Sequence, residues 1–419
     1  MYVCGPTVYS DPHIGNSRPA IVFDILYRIL CKIYGKDSVL YVRNITDVDD
    51  KIITESKKRN IKISILTDEV TKIYHNNLKD LNVLNPNIEP KVTENIDEII
   101  KIISSLIEKG YAYERNGNVY FDVSKYDKYG ELSNQKRDEL LKGVRIDISE
   151  DKKDSLDFVL WKSDDENYWN SPWGKGRPGW HIECTAMSLK YLGETFDIHG
   201  GGIDLVFPHH ENEIAQGVCC SDNPVANFWV HNNLINLNNE KMSKSLGNIL
   251  TINSVLDKWD GNVIRLAMIS SHYRSEVNWN EKLLIDTSEK LKKWSNCTRD
   301  VLNPIDPDDS FFESLYDDLN TPKALAHLSK LYSKAKGGDS VSAQALLGGA
   351  LFLGIDLKAF YEKTNSGAIS AEEIEKNIEL RLKYRKNEDF KKSDEIRDKL
   401  RAEGVILNDN DNGTTWYRE

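Results

Sequence analysis

The chain has 419 residues, 40% of them apolar and 9% aromatic, which is too long for one hydrophobic core and ordinary for a globular protein of two to four domains. A net charge of −11 excludes a dedicated nonspecific nucleic-acid binder, although a local basic patch can still meet RNA. No stretch reaches the roughly 18 apolar residues of a membrane helix and no basic-then-apolar leader opens the chain, so a cytoplasmic protein with no membrane partner is expected.

Met1-Tyr2-Val3-Cys4 opens the chain as a strand, followed by a polar turn, His13-Ile14-Gly15-Asn16. A helical period then runs from about Ser17 to Tyr34 through Ile21, Val22, Ile25, Leu26, Ile29 and Leu30. Ser17 reads as its N-cap, with Pro19 in the first turn and Gly35 as the stop. A strand, a turn and a helix N-terminus in this order make an anion site, because the free N–H groups and the positive dipole end face the turn. Val39-Leu40-Tyr41-Val42 reads as the next strand, completing a strand–helix–strand unit of a parallel sheet. No GxGxxG lies between this strand and this helix, which argues against a dinucleotide fold of the usual kind.

The six cysteines, at positions 4, 31, 184, 219, 220 and 297, contain no CxxC pair and read as reduced thiols. Cys31, Cys219 and Cys220 fall on helical patterns and are expected to be buried. Cys4 and Cys184 each end or start an element, and His209 and Glu213 are spaced i, i+4 on a helical pattern, with His210 as the nearest rival. By themselves these residues leave a metal site and a merely polar helix both open. Lys241-Met242-Ser243-Lys244-Ser245 forms a doubly cationic, Ser-rich loop, which alone means no more than a solvated turn. From Arg381 to Lys392 six basic residues stand against two acidic ones, and the last fifty residues read as one helical stretch with a turn-rich tail.

Taken together, the HIGN turn, the KMSKS loop and several intervening blocks resemble the class I aminoacyl-tRNA synthetases, and among them the cysteinyl-tRNA synthetase family. The blocks are Tyr2 to Tyr9 (YVCGPTVY), Val42 to Lys51 (VRNITDVDDK), Gly179 to Cys184 (GWHIEC), Phe196 to Gly202 (FDIHGGG), Phe207 to Gln216 (FPHHENEIAQ) and Gly413 to Trp416 (GTTW). They extend the resemblance nearly end to end. Two departures stand out. Asn16 occupies a position where that signature most often ends in histidine, and the chain starts inside its first strand, so Met1 reads as a shortened start.

The resemblance implies an α/β fold: a Rossmann-like parallel-sheet catalytic domain in two halves, 1–92 and 179–226, around an inserted connective segment, 93–178. A stem-contact region carrying KMSKS (227–285), a helical bundle (286–365) and a small anticodon-binding domain (366–419) would follow, with Thr364-Asn365-Ser366-Gly367-Ala368 as linker. It implies one zinc ion on Cys4, Cys184, His209 and Glu213, with Trp180 and His199 enclosing L-cysteine. ATP, with magnesium, would meet His13, Gly15, Asn16, Asp204, Lys241 and Lys244, and cysteine tRNA would meet Arg381, Lys383, Arg385 and Trp416. A monomer is expected. Zinc gives such a site a means of rejecting serine, because packing differences of one atom yield only about 1–3 kcal/mol whereas a thiolate is a far better zinc ligand than a hydroxyl. Two other readings keep the same core: a ligase that passes cysteine to an amino sugar, and an inactive nucleotide- or tRNA-binding relative, for which Asn16 is the one supporting residue.

Overall fold

The computed structural model describes residues 1–134, 151–238, 240–241, 248–365, 371–410 and 413–418. Four parallel strands form the central sheet, in the order Val42–Arg43, Tyr2–Val3, Phe196–Gly202, Ala226–Asn232. Tyr2 pairs with Val42 on one side and His199 on the other. The first strand therefore sits where the strand order reverses, and in open α/β sheets the crevice beyond the carboxyl ends at such a point is where ligands bind. Cys4 leaves the sheet on that side, as do the residues after Gly202.

The helix Ile14–Tyr34 crosses from the first strand to the second and begins three residues earlier than expected. Its N-cap is His13, whose N–H donates to the Asn16 side chain at 2.9 Å; Ser17 is buried and its hydroxyl donates to the Ile14 carbonyl. Asn16 thus closes a capping box, a role a short amide fills well. Gly35 ends the helix at φ 85°, as a glycine stop should. The second strand is Val42–Arg43, shifted past the expected Val39–Val42 because Lys36–Ser38 forms a helical turn first.

Between the two halves of the parallel sheet lies a five-stranded antiparallel sheet, ordered Ala112–Arg115, Asn118–Phe121, Phe158–Ser163, Gly174–Pro178, Trp169–Ser171. Its inner face does not close on itself. Phe121, Phe158 and Trp161 share one apolar core with Ile99 and Ile103 of the helix Ile96–Glu108, with Ile182 and Ala215, and with Tyr2 and Val42 of the parallel sheet. A small sheet of Glu240–Lys241, Ile235–Leu237 and Val277–Trp279 follows, then the helices Glu281–Thr298, Asp309–Tyr316, Thr321–Lys336 and Ser340–Phe352. No single helix among the described residues is long and apolar enough to cross a membrane.

The chain divides into two units, Met1–Leu357 and Lys358–Glu419. The second holds the helices Ala371–Lys386 and Phe390–Ala402 and the hairpin Val405–Asn410 with Gly413–Arg418, where one helix and an irregular tail were expected. Ile374, Ile378, Leu400, Val405 and Leu407 form its core. The alternation Val405, Leu407 that builds the inner face is only two residues deep, too short to mark a strand in the sequence. Most of the expected linker, 366–368, lies outside the described residues. Of the three cysteines expected to be buried, Cys219 is, while Cys31 and Cys220 are half-buried.

Candidate active site and metal centre

The helix Trp180–Leu192 starts at Gly179, where a Cβ would lie 2.1 Å from the Val159 carbonyl oxygen, so only glycine lets this helix start so close to the inserted sheet. One turn in, Cys184 faces the end of the first strand, and its sulfur lies 3.7 Å from that of Cys4. His209 stands just before the helix Glu211–Ser221, in helical backbone continuous with it, so Nε2 of His209 and Oε1 of Glu213 meet across one turn at 3.0 Å. Cys4 Sγ lies 3.6 Å from that nitrogen and 3.5 Å from that oxygen. Ligands around a tetrahedral zinc, at about 2.0–2.3 Å from the ion, stand roughly 3.3–3.8 Å apart, so this donor set fits such an ion. Cys184, His209 and Glu213 are buried and Cys4 is half-buried.

The rival residue His210 joins this cluster, and the structure adds others that the sequence did not single out for it. His199 and His210 also point Nε2 at Cys4, at 3.5 and 3.4 Å, and with Glu213 form a second four-donor group. His181 sets Nδ1 3.0 Å from Nδ1 of His209, and His231 sets Nε2 2.8 Å from Nδ1 of His210. Outer partners of this kind fix the tautomer and aim of a ligating ring. His181 was visible only as one letter of the GWHIEC block, and His231 had no pattern around it. Burial pushes the Cys4 thiol and the Glu213 carboxyl well above their ordinary values and the imidazoles of His199, His209 and His210 well below theirs. Burial therefore keeps these groups neutral, and a divalent cation that binds there would displace the Cys4 thiol proton.

Trp180 stacks on His209 with ring centroids 4.4 Å apart and is 41% exposed, so it forms a wall rather than part of the core. His199 is fully buried and stacks on Trp229 at 4.4 Å. A cavity of about 470 Å³ opens beside them, lined by Cys4, His13, Gly15, Asn16, Trp180 and Asp204 among others. Cys4 thus belongs both to the donor cluster and to the cavity wall. The glycine run before Asp204 packs without side chains: a Cβ on Gly200 would meet the Phe23 ring at 2.2 Å, and one on Gly201 the His210 ring at 2.9 Å.

The two signature segments also meet. The Ile14 N–H donates to the Leu250 carbonyl and the Ile252 N–H to the Pro12 carbonyl, both at 2.8 Å, so the backbone just after the KMSKS run pairs with the HIGN turn. Arg18, buried on the same helix, donates to the carbonyls of His272, Tyr273 and Ser275. Lys241 ends the short strand Glu240–Lys241, while Lys244 lies outside the described residues.

In the C-terminal unit the four residues expected to meet tRNA differ in exposure. Arg381 is buried, and its guanidinium grips Asp409 with two bonds of 2.8 Å, which removes it from the surface. Trp416 is half-buried, packs on the unit's core and donates to Glu375 at 2.7 Å. Lys383 and Arg385 remain exposed, Arg385 with a 2.7 Å bond to Asp409.

Comparison with known proteins agrees with this geometry. Residues 1–289 match the family of tRNA synthetases class I (C) catalytic domains. The chain is 51% identical to a cysteine–tRNA ligase of Pelagibacter ubique over 99% of its own length and 93% of that protein, and 48% identical to one of Rickettsia felis over 100% and 94%. In fold it is similar to the Mycobacterium tuberculosis methionyl-tRNA synthetase in complex with methionyl-adenylate, with a TM-score of 0.55 and 13% identity over 88% of this chain and 84% of that one. The chain belongs to the cysteine–tRNA ligase family of the class I aminoacyl-tRNA synthetases.

Proposed function

We infer that this protein is a cysteine–tRNA ligase that uses ATP to activate L-cysteine and then charges cysteine tRNA, with a zinc ion selecting the substrate thiol. The observation that carries the reading is Cys4, which stands at tetrahedral spacing from Cys184, His209 and Glu213 and also lines the cavity between the HIGN turn and Trp180. A donor set of two sulfurs, one imidazole and one carboxylate suits zinc, and zinc supplies a soft centre that prefers thiolate to hydroxyl. Trp180 lines the cavity beside Cys4, and His199 lies buried behind it, 3.5 Å from the Cys4 sulfur.

The protein's part in the reaction is positioning and charge stabilisation. His13, Gly15 and Asn16 place a helix N-terminus at the ATP phosphates, where the carboxylate of cysteine displaces pyrophosphate to give cysteinyl-adenylate. Asn16 keeps its amide NH2 for phosphate, because its oxygen is already engaged by the His13 N–H. Asp204, exposed at the cavity rim, faces the ribose, and Lys241 and Lys244 neutralise the departing pyrophosphate with its magnesium. Lys383 and Arg385 offer the exposed charge for tRNA. The protein acts as a monomer in the cytoplasm.

The amino-sugar ligase and the inactive relative have no support from relatives that are 45–51% identical over nearly the whole chain and are named as cysteine–tRNA ligases. The test is ATP–pyrophosphate exchange with cysteine and with serine, before and after chelation of zinc, followed by addition of tRNA. Exchange that needs cysteine and zinc, with transfer to tRNA, is expected. Exchange without transfer would return the amino-sugar reading, and no exchange would return the inactive one.

A further inference from the structure

We propose that Asn232 and Arg18 read the adenine ring of ATP, Asn232 by accepting from its N6 amino group and Arg18 by donating to a ring nitrogen beside it, so that the cavity selects adenine over guanine. The proposal rests on the reading that this cavity holds ATP, with the phosphates at the HIGN turn and the ribose at Asp204.

Both side chains lie deep in the cavity wall and carry polar atoms that the fold leaves unused. Asn232 is 2% exposed and Arg18 1%, and both line the cavity. The NH2 group of Asn232 donates to the Asn233 carbonyl at 3.1 Å, which fixes the amide with its oxygen as the free end. That oxygen has no hydrogen-bond partner among the described residues. Arg18 spends one nitrogen, Nη2, on the carbonyls of His272, Tyr273 and Ser275, while its Nε and Nη1 have no partner among the described residues. Buried polar atoms are nearly always satisfied, so an orphaned acceptor and orphaned donors in one cavity wall mark a ligand that carries the complementary groups.

Their place in the fold says which part of the nucleotide that is. Asn232 ends its strand paired with Gly202, two residues before Asp204. Arg18 stands three residues past Gly15 on the helix that opens at the HIGN turn, and so on the same face of it. A nucleotide with its phosphates at that helix N-terminus and its ribose at Asp204 extends its base to this part of the wall, where Pro19, Leu234 and Ile235 offer apolar surface to the ring. One loop holds both readers: the Asn233 N–H donates to the Tyr273 carbonyl at 2.8 Å and its side chain to the Arg274 carbonyl at 2.9 Å, within the segment that Arg18 grips. Adenine presents an amino donor beside ring-nitrogen acceptors, whereas guanine presents O6 in place of the amino group. Guanine would set that oxygen against the Asn232 oxygen, acceptor against acceptor. Buried hydrogen-bonding groups left unpaired reject an analogue far more strongly than a difference in size does.

The test is cysteine-dependent pyrophosphate exchange by the full, zinc-loaded chain with ATP and with the triphosphates of purine riboside, inosine, 1-deazaadenosine and 7-deazaadenosine. For the unsubstituted protein, kcat/KM should fall about tenfold with purine riboside, which lacks the amino group, and at least about a hundredfold with inosine, which carries O6 instead. Asn232→Ala should lose about tenfold with ATP and no longer distinguish ATP from purine riboside triphosphate, because the group that reads the amino is gone. At least one deaza analogue, lacking N1 or N7, should lose about tenfold, which tests Arg18 without a substitution that would free the loop it holds. Equal use of ATP and purine riboside triphosphate by the unsubstituted protein would overturn the proposal, as would an Asn232→Ala variant that weakens every nucleotide alike. Full activity with both deaza analogues would overturn the part given to Arg18. No exchange with any nucleotide would instead overturn the ligase reading beneath it.

Discussion

Asp24 and Arg265, 241 residues apart in sequence, form an ion pair in which neither side chain is exposed to solvent. Asp24 lies on the helix that begins at the HIGN turn, and Arg265 on the helix Gly261–Ile269 that follows the KMSKS loop. The pair therefore joins the two arms of the nucleotide site behind the cavity. It is fully furnished: Arg28 and the Leu84 N–H also bond to Asp24 at 2.8 Å, and Arg265 donates to the carbonyls of Leu81, Asn82 and Leu353. Gly354, at φ +73°, leaves room for the guanidinium, since a Cβ there would lie 2.4 Å from Arg265 Cζ.

Removing one partner of such a pair leaves the other buried and uncompensated, so Asp24→Asn is expected to destabilise Met1–Leu357 by about 3–5 kcal/mol in urea unfolding. The pH dependence has a definite sign. Burial by itself would raise Asp24, but Arg265 and Arg28 more than offset it and hold the carboxyl below its ordinary value. Burial lowers Arg265, yet a guanidinium that starts above about 12 stays charged, so the acid limb belongs to Asp24. Its stabilisation is complete above about pH 4 and is lost as pH falls through the lower, folded value. The gap between D24N and the unsubstituted protein should therefore be constant from pH 5 to neutrality and close in strong acid. A gap that widened as pH fell would disprove this role.

His181 supplies a test of the metal centre that leaves all four proposed ligands in place. Its ring touches His209 through a 3.0 Å contact between the Nδ1 atoms, and burial holds it neutral, pushed down to about 3. His181→Phe keeps the packing against Phe158 but removes the group that orients His209. Zinc affinity measured by competition with a chelator should fall about 10–100-fold, the usual cost of losing an outer partner. Unchanged affinity would mean that His209 needs no such orientation, or that it is not a ligand.

The parts of the fold legible in sequence were those carried by local chemistry. The period of Ile21 to Leu30 and the stop at Gly35 gave the first helix, and the i, i+4 spacing of His209 and Glu213 survived a helix that starts only at Glu211. What was not legible depends on distant partners. Arg381 looks like its basic neighbours until Asp409, 28 residues on, folds back across it in a hairpin. His199, expected beside the substrate, comes within 3.5 Å of the Cys4 sulfur because its strand pairs with the first at Tyr2. Ser17 was a reasonable cap by type, but His13 and Asn16 close a capping box one turn earlier.

Within the C-terminal unit, charge and stability should separate. Arg381→Ala breaks two bonds to Asp409, whose carboxyl the guanidinium holds well below its ordinary value, and about 1.5–3 kcal/mol of the unit's stability should go with them. Lys383→Ala, on an exposed side chain, should leave unfolding unchanged. If Lys383 meets a phosphate, this variant raises the KM for tRNA, reduces the salt slope of binding by about one, and leaves pyrophosphate exchange alone. The opposite pattern, an unstable K383A with normal tRNA affinity, would contradict both assignments.

Gly5 links the sheet to the metal centre and gives the sharpest test of how the site is positioned. Its N–H donates to the Asn44 side chain at 2.9 Å, and a Cβ there would lie 1.6 Å from the Asn44 carbonyl oxygen. Backbone cannot yield as a flexible side chain would, so Gly5→Ala must part the first strand from the second at the point where Cys4 leaves the sheet. The cost from overpacking is about 1–3 kcal/mol. Asn44 Oδ1 also lies 3.8 Å from the Cys184 sulfur, so the same shift disturbs both thiols. Zinc affinity should fall together with stability in G5A, whereas a substitution such as Gly193→Ala, at a helix end with nothing within 4 Å, should cost stability alone. Equal zinc affinity in the two variants would show that the thiols are placed by the ion rather than by the sheet.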